Sequence, residues 1–278
     1  MTIKDILLHL GPDAPAGFAL SLAEQTGAHV TAATVVIDIP APVPDPAGLA
    51  AGWNFTDYEP FEKIAALRRA AAEQDYARFA AAAPAGVATD SVMIEAYLER
   101  AGDEFARLAR HFDLTIVARD DGAAGGQSGP LLSSALFGSG RPLFIAPPGH
   151  EGPARLDRAL VCWNASAQAA RALSSALPLL RAAQSVEVLC VADADAPSRD
   201  LPGFNITRHL ARHGVAATLR DITTAQEAAS AILGHAAESA ADFLVMGGYG
   251  HWRLSEMILG GTTRAILGAA PIPVFIAH

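Results

Sequence analysis

The chain has 278 residues, of which 51% are hydrophobic and only 18% are charged, and its formal net charge is −9. This composition predicts a folded globular protein with a sizeable core, and the length favours two domains. The negative charge is not offset by any cluster of Lys and Arg, so a nucleic-acid-binding surface is not expected.

The apolar runs also indicate the cellular location of the protein. The first run meets Gly11-Pro12 too soon for a signal peptide, and no run approaches the length of a membrane span. Cys162 and Cys190 lie in apolar strand patterns, which is typical of reduced core thiols. We therefore expect a cytoplasmic protein that does not contact a membrane.

The first half of the chain alternates apolar strand patterns with helical ones. Strand–helix–strand units of this length indicate parallel βαβ units with right-handed crossovers, and Gly27 is expected to end the first helix as a C-cap. The predicted strands are 6–10, 30–37, 87–94, 114–118 and 143–146, and the predicted helices are 14–26, 62–83, 97–112 and 131–137.

Residues 38–60 interrupt this alternation with a proline-rich, aromatic insertion. A loop this long in a compact domain is a binding lid, a packing arm or a subunit contact. Packing or a subunit contact is the favoured interpretation. The residues that mark the insertion are Pro40, Pro42, Pro44, Pro46, Trp53, Phe55 and Tyr58.

The second half repeats the pattern after a Pro- and Gly-rich linker at 147–153. Thr224 and Glu227 match a capping box for a helix that runs to residue 240. Each half therefore predicts an α/β domain, a doubly wound five-stranded parallel sheet, with bounds 1–148 and 156–278. The other predicted elements are strands 159–163, 186–191, 215–219, 243–246 and 274–277, and helices 167–180 and 206–213.

The closing strands of the two halves, 143–146 and 274–277, carry the same motif. We expect them to pair and to join the halves about a pseudo-twofold axis, as an intramolecular pseudo-dimer. Whether whole chains pair further into a homodimer stays open.

The last stretch of the chain carries the most specific signal. Glycines directly after the strand at 243–246 let backbone N–H groups approach an anion that a Cβ would exclude. A helix beginning near Gly261 adds free N–H groups and the positive end of its dipole. The stretch therefore predicts a pocket for a phosphate chain. Its polar and glycine residues are Gly247, Gly248, Gly250, Gly260, Gly261, Thr262, Thr263 and Arg264.

Gly247-x-x-Gly250, nine residues and then Gly260 resembles the nucleotide loop of the universal stress protein family, and Pro271–Ile276 is similar to that family's closing strand. The likeness, to a tandem member, extends over nearly the whole chain. It implies a regulatory protein that binds ATP or another adenine nucleotide, with Mg²⁺. The binding residues so implied are Asn164, Val191, Met246, Gly247, Gly250, Gly260, Gly261, Thr262 and Thr263.

The chain departs from the family's ATP-binding pattern in both halves. Gly261 stands where that pattern has Ser or Thr, and Asn164 where it has Asp. In the first half, an alignment of Ile116-Val117 with Leu244-Val245 sets Arg119 opposite Gly247 and Gly122 opposite Gly250, with Asp120-Asp121 between Arg119 and Gly122. This predicts a first-half domain whose nucleotide loop is degenerate.

Two other functions stay open. A member that binds no nucleotide would act through contacts with protein partners, and the 38–60 insertion is a candidate surface for them. An enzyme, such as a slow ATPase, is disfavoured because no nucleophile or general base stands beside the glycines, although His251 could reach a γ-phosphate. His209 and His213 have metal-ligand spacing but no evident third ligand, and Trp163 is interpreted as core.

Overall fold

The computed structural model describes residues 2–38, 59–120, 128–193, 205–224, 226–248 and 261–278. Most of the 38–60 insertion, and Gly250 and Gly260, lie outside the described residues. The strands are β1 (Asp5–His9), β2 (His29–Asp38), β3 (Thr89–Tyr97), β4 (Leu114–Ala118), β5 (Leu143–Ala146), β6 (Arg158–Cys162), β7 (Ser185–Asp193), β8 (Ala217–Thr224), β9 (Phe243–Gly247) and β10 (Val274–Ala277). The helices are α1 (Ala16–Thr26), α2 (Glu59–Ala81), α3 (Leu98–Ala109), α4 (Ser128–Gly138), α5 (Ala167–Ala182), α6 (Ile206–Arg212), α7 (Ala228–Glu238) and α8 (Gly261–Ala269).

The strands form one ten-stranded sheet in the order β3-β2-β1-β4-β5-β10-β9-β6-β7-β8. Within each half all neighbours are parallel, and the first strand lies between the second and the fourth. The chain therefore reverses its direction of winding after its first two crossovers, as a doubly wound sheet does. The predicted fold class is confirmed.

The two halves meet where β5 and β10 pair in antiparallel register. Phe144 lies opposite Phe275, with Leu143 opposite Ile276 and Ile145 opposite Val274. The Phe144 ring packs edge-on against Phe275, with centroids 5.2 Å apart, in the favourable geometry for aromatic pairs. The predicted pairing of the closing strands is confirmed.

The core lies on both faces of this sheet. β1, β4, β5, β9 and β10 are apolar at nearly every position because successive residues point to opposite faces and helices cover both. One cluster includes Phe18, Phe144, Phe243 and Phe275, and the other includes Phe105, so each face draws residues from both halves. No helix in the described ranges is long and apolar enough to cross a membrane.

The strand registers define which residues of the two halves are equivalent, and they correct the sequence alignment. Ala118 pairs with Ala146, and Gly247 pairs with Ala277, the counterpart of Ala146. The backbone N–H groups of Arg119 and Gly248 donate to those same alanine carbonyls. Ala118 is thus the counterpart of Gly247, and Arg119 that of Gly248. The alignment of Arg119 with Gly247 is wrong by one residue, because continuous apolar runs do not fix a register.

Three local predictions, a helix C-cap, a capping box and the bounds of the edge strands, have different outcomes. Gly27 caps α1 with a φ of 61°, as expected. The capping box is wrong: α7 begins at Ala228 after Glu227, which makes no side-chain cap, and the Thr224 hydroxyl instead accepts from the backbone N–H of Gln226 at 3.0 Å. The two edge strands, β3 and β8, begin and end later than their apolar runs suggest.

Thr115 is a polar side chain at the centre of β4. It is fully buried, and its hydroxyl has no hydrogen-bond partner among the described residues. We predict that Thr115→Val raises the free energy of unfolding by about 1 kcal/mol, because an unsatisfied hydroxyl is replaced by a methyl of the same size. Urea unfolding measures this. Thr115→Ser is the control, since it keeps the hydroxyl and should lower stability; an unchanged or lower value for Thr115→Val would contradict the prediction.

Candidate functional site

A cleft of about 460 Å³ opens at the carboxyl ends of β6, β7 and β9. It lies at the switch point between β6 and β9, where open α/β sheets bind ligands. Every predicted site residue that the structure describes lines it, whereas Gly250 and Gly260 lie outside the described residues. These lining residues are Asn164, Val191, Met246, Gly247, Gly261, Thr262 and Thr263. Cys162, Trp163, Ser166, Leu189, Ala228 and Ile232 also line the cleft and were not among the predicted site residues.

Asn164 closes the turn between β6 and α5. Its Oδ1 accepts from the backbone N–H of Ser166 at 3.1 Å and from the Ser166 hydroxyl at 2.7 Å. The Ser166 hydroxyl in turn accepts from the backbone N–H of Ala169 and caps α5. Ala165, between them, has a φ of 56°, which a side chain rarely adopts. The turn therefore occupies the Asn164 carbonyl, and its amide nitrogen makes no hydrogen bond to the part of the chain that the structure describes.

Gly247 is required for packing. A Cβ on this residue would lie 2.4 Å from the backbone nitrogen of Ala169 and 2.5 Å from the carbonyl carbon of Gln168. Only glycine lets the first turn of α5 lie this close to the end of β9. The close approach brings the α5 N-terminus to the edge of the cleft. This is a reason for glycine that the sequence interpretation, which assigned it to the turn, did not include.

Three helices present their N-terminal ends to the cleft. Ser166 caps α5, Ala228 begins α7 and Gly261 begins α8, and all three line the cavity. Helix N-termini carry free N–H groups and partial positive charge, so together they favour an anion. No Asp, Glu, Lys or Arg is among the described lining residues. Thr262 is exposed at the α8 terminus, whereas Thr263 is only 6% exposed.

Cys162 is the one thiol among the described residues that line the cleft. Burial, with Cys190 nearby, raises the pKa of the Cys162 thiol to about 12. The thiol is therefore protonated at neutral pH and unreactive. Trp163 packs against the core cluster of Phe18 and Phe144, in agreement with its interpretation as core.

The first half has an equivalent cleft, of about 380 Å³, but its chemistry differs. Asp120 lies at the α4 N-terminus, where its carboxylate accepts from the backbone N–H groups of Ser128 at 3.2 Å and Gly129 at 2.7 Å. Asp13, Asp75 and Arg68 also line this cleft. The helix terminus that could bind an anion is thus already satisfied by the chain's own carboxylate.

His9, the counterpart of Cys162, lies at the base of the first-half cleft. It is 5% exposed and packs edge-on against Phe105 with ring centroids 5.6 Å apart. Burial lowers the pKa of His9 to about 4, against a smaller opposing effect of Asp120. The imidazole is therefore neutral at physiological pH.

His209 and His213 lie at the end of α6, away from both clefts, with ring centroids 4.6 Å apart. Within the described residues no group of three or more His, Cys, Asp or Glu side chains could hold a metal ion.

A family model described as the universal stress protein family matches residues 155–278. Residues 155–278 belong to the universal stress protein family. This segment contains every residue of the second-half cleft. A search of the curated proteins finds no match to the chain.

Solved structures share the fold over the whole chain. A universal stress protein from Archaeoglobus fulgidus DSM 4304 is similar with a TM-score of 0.72 and 16% identity, over 100% of this chain and 99% of that one. A protein of unknown function from Pseudomonas aeruginosa PAO1 has a TM-score of 0.54 and 14% identity, over 99% and 92%. A universal stress protein in complex with cAMP covers 43% of this chain and 95% of its own, with 18% identity and a TM-score of 0.33, which is too low to support an argument about ligands.

The glycines of the universal stress protein domain differ in how they tolerate a side chain. We predict that Gly247→Ala lowers the free energy of unfolding by about 3 kcal/mol, because its methyl meets the α5 backbone at 2.4 Å. Gly261→Ala is the matched control: a Cβ there meets no atom of the described residues within 4 Å, so the change should be neutral or slightly stabilising. Denaturant unfolding of both variants checks this, and equal stabilities would show that α5 can move away from β9.

The burial of His9 predicts a pH dependence. Its folded pKa of about 4 lies below the ordinary value of 6.5, so the unfolded chain binds the proton more readily. Stability is thus fully present above pH 6.5 and falls as the pH drops toward 4, by roughly 2 kcal/mol between pH 7 and pH 5. His9→Phe should lose this component, whereas His209→Phe, at an exposed position, should keep it. Urea unfolding at the two pH values measures the difference, and equal pH dependence in all three proteins would contradict the assignment.

Proposed function

We propose that this universal stress protein is a regulatory protein that binds an adenine nucleotide, in the first instance ATP with Mg²⁺, in its second-half cleft. The observation that carries the proposal is the lining of that cleft. Seven residues expected from the sequence converge on one cavity that three helix N-termini face, with no charged side chain among the described lining residues.

Within this proposal the two ends of the cleft have different roles. The phosphates lie at the α8 N-terminus, with Gly261 and Thr262; Gly250 and Gly260, which the family resemblance also implies as phosphate contacts, lie outside the described residues. The nucleoside lies toward Asn164 and Val191, at the ends of β6 and β7. Asn164 offers its amide nitrogen there, since its carbonyl is already bonded within the turn.

The described lining does not fit a magnesium ion held by the protein. Mg²⁺ prefers carboxylate oxygens together with phosphates and water, and the lining residues include no carboxylate. The ion therefore enters as part of MgATP, ligated by the nucleotide. The Cys162 thiol is protonated, and the described lining has no carboxylate or imidazole that could activate a hydroxyl, so the proposal is binding and regulation rather than turnover.

A second candidate function is the one through protein contacts. Leu67 on α2 is 70% exposed and Leu98 at the start of α3 is 64% exposed, beside the sheet edge formed by β3. Exposed apolar side chains near an open strand edge favour a protein partner or a second chain. The departures at Gly261 and Asn164 support the same view. The two candidate functions predict different results in one experiment: the first predicts that the protein binds MgATP, and the second predicts that it does not.

The nucleotide proposal is tested by placing a carboxylate where the first half has one. Gly261→Asp should weaken MgATP binding at least tenfold, because a negative charge at the α8 N-terminus repels phosphates and competes for its N–H groups. The fold should persist, since a Cβ at this position meets no atom of the described residues within 4 Å and Gly261 is exposed. Isothermal titration calorimetry on nucleotide-stripped protein measures the affinity.

Gly261→Asn is the matched control, because it has the same shape without the charge and should bind within about threefold of the unmodified protein. Equal affinity of the Asp and Asn variants would remove α8 from the phosphate site. No binding of millimolar MgATP by the unmodified protein, and no nucleotide released on its denaturation, would favour the protein-contact function instead.

A further inference from the structure

Arg119 forms hydrogen bonds from the first half of the chain to the second. It follows β4 in the first half, and its guanidinium Nη1 donates to the backbone carbonyls of Leu267 and Ala270, the latter at 3.2 Å. Both acceptors lie at the C-terminal end of α8, in the second half. A helix end has carbonyls without intrahelical partners, and a cation there is also favoured by the dipole.

The helix that Arg119 holds is the one that begins at the second-half cleft. α8 has nine residues, from Gly261 to Ala269, so its ends are separated by only about 13 Å. A tilt or shift at the C-terminal end of so short a helix displaces its N-terminus by a comparable distance. The position of Gly261 and Thr262 in the cleft therefore depends on what fixes the other end.

Arg119 is itself well fixed. Its backbone N–H donates to the carbonyl of Ala146 at 2.8 Å, which extends the β4–β5 pairing by one residue at the seam of the sheet. Its side chain is half-buried, and burial lowers the pKa of the guanidinium from its ordinary value. A partly desolvated cation needs hydrogen-bond acceptors, and the two α8 carbonyls supply them.

The interaction has no counterpart in the opposite direction. The residue equivalent to Arg119 is Gly248, which has no side chain, and a Cβ there would lie 3.3 Å from Leu136 at the end of α4. The contact therefore runs from the first half to the helix of the second-half cleft and is not repeated by the pseudo-twofold symmetry.

We propose that Arg119 is a positioning residue for the second-half site: from the first half, it sets the position of the α8 N-terminus against the phosphates. This inference rests on the proposed function, since it concerns the affinity of that same cleft for MgATP. It gives the half with the carboxylate-filled cleft a role in binding by the other half.

The test compares Arg119→Met with Arg110→Met. Arg110 donates through Nε to the carbonyl of Gly138 at the end of α4, at 3.0 Å, so it makes the same kind of bond to a helix end within the first half. We expect Arg119→Met to bind MgATP about fivefold more weakly, and Arg110→Met to bind it unchanged. Arg119→Lys, which keeps the charge but replaces the planar guanidinium by a compact, strongly hydrated ammonium, should recover about half of the loss on a logarithmic scale. Calorimetric titration measures affinity, and thermal unfolding of the same samples measures stability.

The outcomes are separable. Unchanged affinity in Arg119→Met, or an equal loss in Arg110→Met, would overturn the positioning role and reduce Arg119 to a contact that only stabilises the fold. If Arg119→Met does not fold, Arg119→Lys decides alone, and wild-type affinity in it would overturn the proposal. Failure of the unmodified protein to bind MgATP would instead refute the proposed function, and this inference with it.

Discussion

The antiparallel pairing of β5 with β10 is the interaction on which the rest of the structure depends. Both strands are fully buried and apolar on both faces, so either one left as an edge would expose a template for aggregation. Pairing removes both edges and packs Phe144 edge-on against Phe275 at the pseudo-twofold axis. It also makes each core face continuous between the halves. The protein is therefore one sheet built from a repeat, and contacts such as that of Arg119 with α8 follow from this closure.

One fold thus holds two clefts of opposite chemistry. In the first, Asp120 fills the α4 N-terminus and His9 stays neutral, so the carboxylate charge is not compensated by the imidazole. Two like charges about 5 Å apart repel by roughly 3 kcal/mol at an effective dielectric constant near 20, which is a factor of more than a hundred in affinity. The described lining of the first cleft sets the carboxylates of Asp13, Asp75 and Asp120 against one cation, Arg68, so its charge is less favourable to a polyphosphate than that of the second cleft. The second cleft has no such charge among its described lining residues.

The sequence predicts those features that depend on burial and on the turns and element ends that glycine and proline favour. Continuous apolar runs identified β4, β5, β9 and β10, and the shared closing motif predicted how the halves join. The sequence could not fix the register of the repeat, because nearly every position of a doubly buried strand is apolar and a shift by one residue leaves the pattern almost unchanged. The bounds of the edge strands were misplaced because these strands contain polar residues and so lack a continuous apolar run. Glu95 in β3 and Asp221 in β8 are polar, yet their backbones pair with β2 and β7. The capping box failed because Thr224 forms a local turn instead, an alternative that its side chain always offers.

At the site, too, the sequence pattern predicts which residues come together, whereas the packing of the helices determines why each residue is needed. The family resemblance named part of the lining of the second cleft, and the fold brings those residues together because the carboxyl ends of parallel strands meet at one edge. The reasons for individual residues were not in the pattern. Gly247 is glycine because α5 approaches it, and its counterpart Ala118 shows that the strand end alone does not demand glycine. Arg119 looked like an obstacle to phosphate in its own half, whereas its guanidinium leaves that half and bonds to the helix of the other. The role of a residue in a repeat protein therefore has to be assigned in the assembled structure. A residue that no longer contacts a ligand in its own repeat can form a structural contact with the other repeat.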